Sequence, residues 1–238
     1  MQCLKTSIFL LILASTCATP ISAAEFCVTN GIELDNALAD AATNGEDDTI
    51  KLHTGTYQAD LFSFEYNAAN VTGGDDNDLT IIGGYSDFFM NPCGQRVLDD
   101  PLLTVLDGNG SSRVLKIDTR AHGNVTVRLL AFIDGNASGS YGGGLYINAL
   151  DGASGTITVE RNVFDSNLAR YGGGLSVASR SGGFGLVRVV NNLFIHNHAE
   201  SDGNIAAANL ANLDDHGFAD ARAIYFVNNT VLANVAET

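Results

Sequence analysis

Tyr141-Gly142-Gly143-Gly144-Leu145 returns 30 residues later as Tyr171-Gly172-Gly173-Gly174-Leu175. Phe164-Asp165-Ser166-Asn167 returns as Phe194-Ile195-His196-Asn197 at the same spacing, and Gly155-Thr156-Ile157-Thr158-Val159 keeps step with Gly185-Leu186-Val187-Arg188-Val189. A unit this short, made of strand-like pieces and glycine turns, cannot bury an apolar face by itself. It must stack on copies of itself. The repeat therefore predicts an all-β chain built as a parallel β-helix, a solenoid.

Each rung reads as three straight sides. A Gly-Gly-Gly-Leu strand leads to a polar turn such as Asp151-Gly152-Ala153-Ser154-Gly155. A second strand runs through Ile157 and Val159 into Asn162-Val163-Phe164, and a short third segment carries Asn167 and Ala169 back to the next glycine triplet. Like residues then pile into columns. Asn167, Asn197 and Asn234 are expected as an amide ladder, and Phe132, Phe164 and Phe194 as an internal aromatic stack. Looser copies flank the clear ones. Leu130-Ala131-Phe132 with Asn136 is read as a copy displaced by one residue, and Asn229-Thr230-Val231 with Asn234 as another. About seven rungs fit, making a rod of about 30 Å at the ordinary strand spacing.

Residues 1–24 read as an export signal. Lys5 gives the charged start, Ile8 to Leu13 the apolar stretch, and Ser22-Ala23-Ala24 the small residues for cleavage near Ala24. Cys17 after Ala14-Ser15-Thr16 also suits lipid attachment, without the residues such a signal prefers before it. The segment 25–47 is read as a capping helix. Asn30 with Glu33 makes a capping box, Ile32, Leu34, Ala37, Leu38 and Ala41 recur at helical spacing, and Asn44-Gly45 ends it. Residues 48–238 are the β-helix repeats. Two insertions, Ser86 to Leu103 and Asn212 to Ala221, read as loops on its side. Ala236-Glu237-Thr238 falls where another glycine triplet is due, which predicts that the repeats continue in a longer protein.

The formal charge is −15, and loss of Lys5 deepens it by one unit. Nucleic acid is excluded as a partner, because a phosphate backbone needs a basic face. Of the four cysteines, Cys27 and Cys93 lie outside the signal. In an exported protein they either bridge or stay as two thiols.

The Phe-X-X-Asn corner followed by Gly-Gly-Gly-Leu resembles the repeats of polymorphic outer-membrane proteins. Phe164 and Asn167 with Gly172 to Leu175 are the best copy, whereas Phe194 and Asn197 lead only to Asp202-Gly203-Asn204-Ile205. The opening, Asp48-Thr49-Ile50 with Gly55-Thr56-Tyr57, is similar to the first rung of the pectate-lyase-like superfamily. The resemblance spans roughly 48–238 and implies a right-handed helix. It does not fix an activity, because that fold carries lyases, hydrolases, adhesins and passenger domains.

The residues that could carry chemistry are few. Tyr141 and Tyr171 form an outward strip one rung apart that could stack on sugar rings, or pack over their own turns. Asp75, Asp76 and Asp78 lie in an acidic glycine turn with oxygen ligands suited to calcium, or form an ordinary solvated turn. Asp214-Asp215-His216 unites carboxylates with a histidine, and Arg188 is a strand-borne base. These are the residues a glycosidase or a lyase would use, but the segments that accompany them in polygalacturonases are missing. Arg161 and Arg188 differ by 27 positions and should not stack. His196 and His198 flank the ladder residue Asn197 with no co-ligand at metal spacing. No cofactor is expected apart from calcium. The expectation is an exported bacterial scaffold or passenger domain, secreted or at the cell surface. It would bind glycans or surface proteins without catalysis and reach a membrane only through an anchor outside the chain. The alternative is the N-terminal part of a polysaccharide lyase or glycoside hydrolase.

Overall fold

The computed structural model describes residues 23–59, 61–69, 76–120, 123–149, 155–179, 185–200, 206–212 and 223–237. The proposed signal up to residue 22, and the candidates Asp75, Asp214 and Asp215, lie outside them.

The chain visits four sheets in turn and rises by one strand at each visit. Strand β1 (Ala23–Val28) and helix α1 (Gly31–Ala41) form the first layer. The second holds β2 (Asp47–His53), β3 (Gly55–Gln58) and β4 (Phe64–Asn67). The third holds β5 (Leu79–Phe88), β6 (Asn91–Arg96), β7 (Thr104–Asp107) and β8 (Leu115–Thr119). The fourth holds β9 (Val125–Arg128), β10 (Ala131–Ile133), β11 (Asn136–Tyr141) and β12 (Leu145–Ala149). The fifth holds β13 (Thr156–Glu160), β14 (Val163–Asp165), β15 (Leu168–Tyr171) and β16 (Leu175–Ser179). The sixth holds β17 (Leu186–Val190), β18 (Leu193–Ile195), β19 (His198–Ala199) and β20 (Ala208–Asn212). The last holds β21 (Ala223–Val227), β22 (Thr230–Leu232) and β23 (Val235–Ala236).

The first sheet runs β1-β2-β5-β9-β13-β17-β21, the second β3-β7-β10-β14-β18-β22, the third β11-β15-β19-β23 and the fourth β4-β8-β12-β16-β20. Every described pairing is parallel except β5 with β6. The chain is thus all-β with parallel sheets and one helix, compatible with a parallel β-helix or solenoid.

Inward side chains of successive layers meet in register. Phe132 pairs with Phe164 and Phe164 with Phe194. Their rings stack at 5.0 and 4.8 Å, within 8° of parallel. Tyr57 and Leu106 continue this column downward and Val231 upward. The asparagine ladder is present as well. Asn167 Oδ1 accepts from Gly135 N at 2.9 Å, and its Nδ2 donates to Phe132 O and to Asn197 Oδ1, both at 2.9 Å. Asn197 repeats the pattern with Phe164 O and Asn234 Oδ1. Each buried amide uses both its donors, which is what makes a polar column tolerable in a core.

The structure corrects the reading of three sides. The strand through Ile157 and Val159 breaks at Arg161, which takes φ 56°, so that Val163–Asp165 joins a different sheet. Leu129, Asn191 and Asn228 make the same left-handed break in the neighbouring layers. A second ladder supports it. Asn162 Oδ1 accepts from Leu130 N, and Asn162 and Asn192 each donate to the next member, Asn192 and Asn229 respectively. Four further readings shift. Residues 25–28 are strand, in β1, and not helix segment. Ile32 points outward, at 74% exposed, while Leu34, Ala37, Leu38 and Ala41 are buried. The stretch read as a loop from Ser86 begins with the hairpin β5–β6. Gly135, not Asn136, stands at the ladder position below Asn167, and Asn136 pairs with Leu168.

The helix forms where expected. Asn30 Oδ1 accepts from Glu33 N at 3.0 Å, and Glu33 reaches back to Thr29 N at 2.7 Å, which lowers the pKa of its carboxyl. Its apolar face joins the core, so α1 closes the lower end of the stack. Tyr57 locks this end to the first sheet by donating to Val28 O and His53 O. Its burial there raises the phenol pKa. Cys27 and Cys93 form a disulfide, 66 residues apart in sequence, which ties β1 to the hairpin.

Candidate binding surface

The glycine triplets place the two tyrosines. Gly142 and Gly172 have φ 55° and 63°, and a Cβ on either would come within 2.3 Å of a carbonyl three residues on. The chain therefore turns sharply just after Tyr141 and Tyr171, which pair in register across β11 and β15. Their rings stack at 4.9 Å and 19°. Tyr141 also stacks on the buried Tyr146 at 5.7 Å. Rings stacked along the layering direction turn their edges and hydroxyls to the side of the molecule. The two tyrosines thus form a ladder of edges, with Tyr141 packed on Tyr146 of the next turn.

Charged groups frame this ladder. The Arg113 guanidinium lies 5.1 Å over Tyr146 and donates to Tyr141 O, Gly142 O and Ser140 Oγ. Burial lowers its pKa, against the pull of Tyr146, Asp118 and Glu65. Arg170 lies 5.1 Å over Tyr171. Glu200 spans two layers, accepting from Ser138 Oγ at 2.6 Å and Gly139 N at 2.8 Å. Those two bonds hold its carboxyl below the usual range. The strip thus offers ring edges, phenol hydroxyls and the Arg170 guanidinium to a ligand.

Two grooves follow the corners where left-handed residues pile up. One, of about 310 Å³, contains Asp107, Asn109, Asp134 and Ser166. Burial raises the Asp134 pKa, and the charges of Asp107 and Asp165 push it the same way. Asp165 Oδ1 accepts from Ser166 Oγ at 2.9 Å and lies 3.2 Å from His196 Nδ1. A carboxylate between serine and histidine is the wrong order for a nucleophile, which needs the base on its own hydroxyl. The other groove, of about 380 Å³, contains Arg161, Asn191, Asn228 and Asp99. Asp99 holds Arg161 at 2.9 Å and Arg96 at 3.1 Å.

Of the catalytic candidates, Asp214 and Asp215 lie outside the described residues, which leaves Arg188. Arg188 is exposed on β17, in register with Thr158 and Tyr225, and does not stack with Arg161. Asp78 spends both carboxylate oxygens on Asn124, and Asp76 accepts from Gly123 N. These bonds clasp neighbouring turns. No group of three or more carboxylate, histidine or cysteine side chains placed to hold a metal ion occurs among the described residues. His196 and His198 do not share a face, because a corner at Asn197 separates them and His198 faces Glu237 instead.

One cluster had no sequence signal. On the outer face of the fourth sheet, Lys116 bonds Glu65 and Asp118, both at 2.7 Å. Burial pulls its pKa down, but those hydrogen bonds outweigh burial and the net shift is upward. Asn148 donates to Asp118 Oδ1 at 3.0 Å. Lys116 and Asp118 share β8, and only the register of β4, β8 and β12 brings Glu65 and Asn148, 51 and 30 residues from their partners, beside them.

A scan of protein-family models and searches of curated proteins and of solved structures return no match to the chain.

Proposed function

We propose that this chain is an exported, right-handed parallel β-helix whose side serves as a binding scaffold for glycans or cell-surface proteins. The handedness rests on the near-universal right-handed crossover between parallel strands of one sheet. Export rests on the signal-like start and on the Cys27–Cys93 disulfide, a bond suited to an oxidising compartment. The likeness to pectate-lyase-like and polymorphic outer-membrane repeats is consistent with both.

The observation that carries the reading is the tyrosine ladder with its guanidinium at Arg170. The tyrosine edge recurs in two adjacent layers, so a linear polymer lying along the rod meets it twice, with Arg170 beside the second. Many shallow contacts of that kind suit avidity better than a deep single site.

The test is binding to a panel of immobilised neutral and acidic polysaccharides. At least one polysaccharide should be retained, with the affinity reduced about fivefold or more by Arg170→Ala and Tyr171→Ala. Equal retention of the variants would reject the strip. Release of unsaturated or reducing sugar would reject the scaffold reading and support the lyase or hydrolase alternative.

A further inference from the structure

The upper end of the stack differs from every layer below it. Ile224, Phe226 and Val231 are 44%, 44% and 52% exposed. Their register partners one layer down, Val187, Val189 and Phe194, are at most 1% exposed. The columns are the same, and among the described residues no further layer covers them. Among the described residues, strands β21, β22 and β23 are each the last member of their sheet, so their outer edges carry backbone groups with no described strand partner.

The ladders define what fits there. In lower layers the backbone N–H of Asn162 and Asn167 donates to Oδ1 of Asn192 and Asn197, which donate in turn to Asn229 and Asn234. Among the described residues the N–H groups of Asn229 and Asn234 have no acceptor. The end face therefore offers two donors and an apolar centre, and calls for two amide oxygens at matching positions. In each layer that supplies them the two asparagines are five apart with an apolar residue two after the first: Asn162-Val163-Phe164-Asp165-Ser166-Asn167, then Asn192 to Asn197, then Asn229 to Asn234.

A second copy of this chain does not meet that demand. Its lower end is closed by α1 and β1, and two upper ends set face to face would oppose donor to donor. We propose that the β21–β22–β23 face is a docking surface for one further parallel coil carrying Asn-X-apolar-X-X-Asn, contributed by another repeat segment and continuing the established layer-to-layer interface.

The experiment joins a copy of residues 170–199 after Ala236, which is the register equivalent of Ala199. The copied asparagines then fall over Asn229 and Asn234. Amide exchange at those two residues is followed by NMR, together with binding of an apolar dye. The expected result is exchange slowed roughly tenfold or more at both amides and a loss of dye signal. A control carries Asn192→Ala and Asn197→Ala in the copied coil only. It should still displace dye, through its apolar columns, while leaving the two amides fast. Unchanged exchange with the asparagine-bearing coil, or equal protection by the alanine control, would overturn the proposal. So would protection in the unextended chain that rises with its concentration, which would assign the face to a second copy.

Discussion

Replacing Asn167 by alanine removes the side chain on which most of the polar bookkeeping in the middle layers depends. Asn167 is fully buried. The change leaves Gly135 N–H without its acceptor, Phe132 C=O without its amide donor, and Asn197 Oδ1 with one donor instead of two. Water cannot replace these partners without opening the corner. Two orphaned groups at about 1–3 kcal/mol each, with a small cavity beside them, give a loss of about 3–5 kcal/mol. Such a loss is a large part of the whole stability of an ordinary domain. Two variants calibrate it. Asn136→Ala removes a half-buried amide that donates to Gly110 O and accepts from Ser138 N, both within reach of water, and should cost about 1 kcal/mol or less. Asn234→Ala acts at the half-open end of the same ladder and should cost about 1 kcal/mol, because water reaches the freed groups. Urea unfolding followed by circular dichroism gives the three values. A cost at Asn167 no larger than at Asn136 would refute the ladder argument.

Other consequences are equally direct. Cys27→Ser with Cys93→Ser opens a loop of 66 residues and should cost up to about 4 kcal/mol by the chain-entropy estimate, read as a lower midpoint in the same urea assay. Gly143→Ala sets a Cβ 2.3 Å from Leu168 O, a backbone atom with nowhere to move, and should cost about 3 kcal/mol or more. Asp134→Asn should stabilise at neutral pH by a few tenths of a kcal/mol. The raised pKa of Asp134 means that its favourable contribution is complete in acid and fades as pH climbs through the folded value. The gain should shrink on acidification, leaving only the better fit of asparagine to φ 49°; a gain that grows in acid contradicts this. Calcium should shift the melting temperature by less than about 1 °C, since Asp78 is already spent on Asn124, and a rise of several degrees would restore the acidic turn as a site.

The repeat spacing made one ladder legible and hid the other. Asn167 and Asn197 stand apart from the strands around them, between polar neighbours, and so read as corner residues. Asn162 and Asn192 sit between strand-like residues, and the break before them falls on Arg161 and Asn191. Arginine at positive φ leaves no mark in a sequence, because the left-handed turn is imposed by the ladder that follows it. Gly135 shows the same limit in reverse. A Cβ there would lie 2.1 Å from Gly143 O of the same coil, so the tight closure of that coil excludes asparagine and Asn136 takes the next position, outside the ladder. Strand β1 was masked by small residues that also suit cleavage. The hairpin β5–β6 lacks alternation because its Phe88-Phe89-Met90 turn is exposed. The tyrosines were visible as a pair, but their edge-on stacking depends on Tyr146 and Arg113, which only the fold brings near.

The layered register itself is open to a single spectroscopic check. With phenylalanine rings selectively labelled, NMR should show ring-to-ring cross-peaks between Phe132 and Phe164 and between Phe164 and Phe194, whose centroids lie 5.0 and 4.8 Å apart. It should show none between Phe132 and Phe194, two layers removed. Missing cross-peaks for the adjacent pairs, or a strong one for the outer pair, would contradict the stacking of these coils.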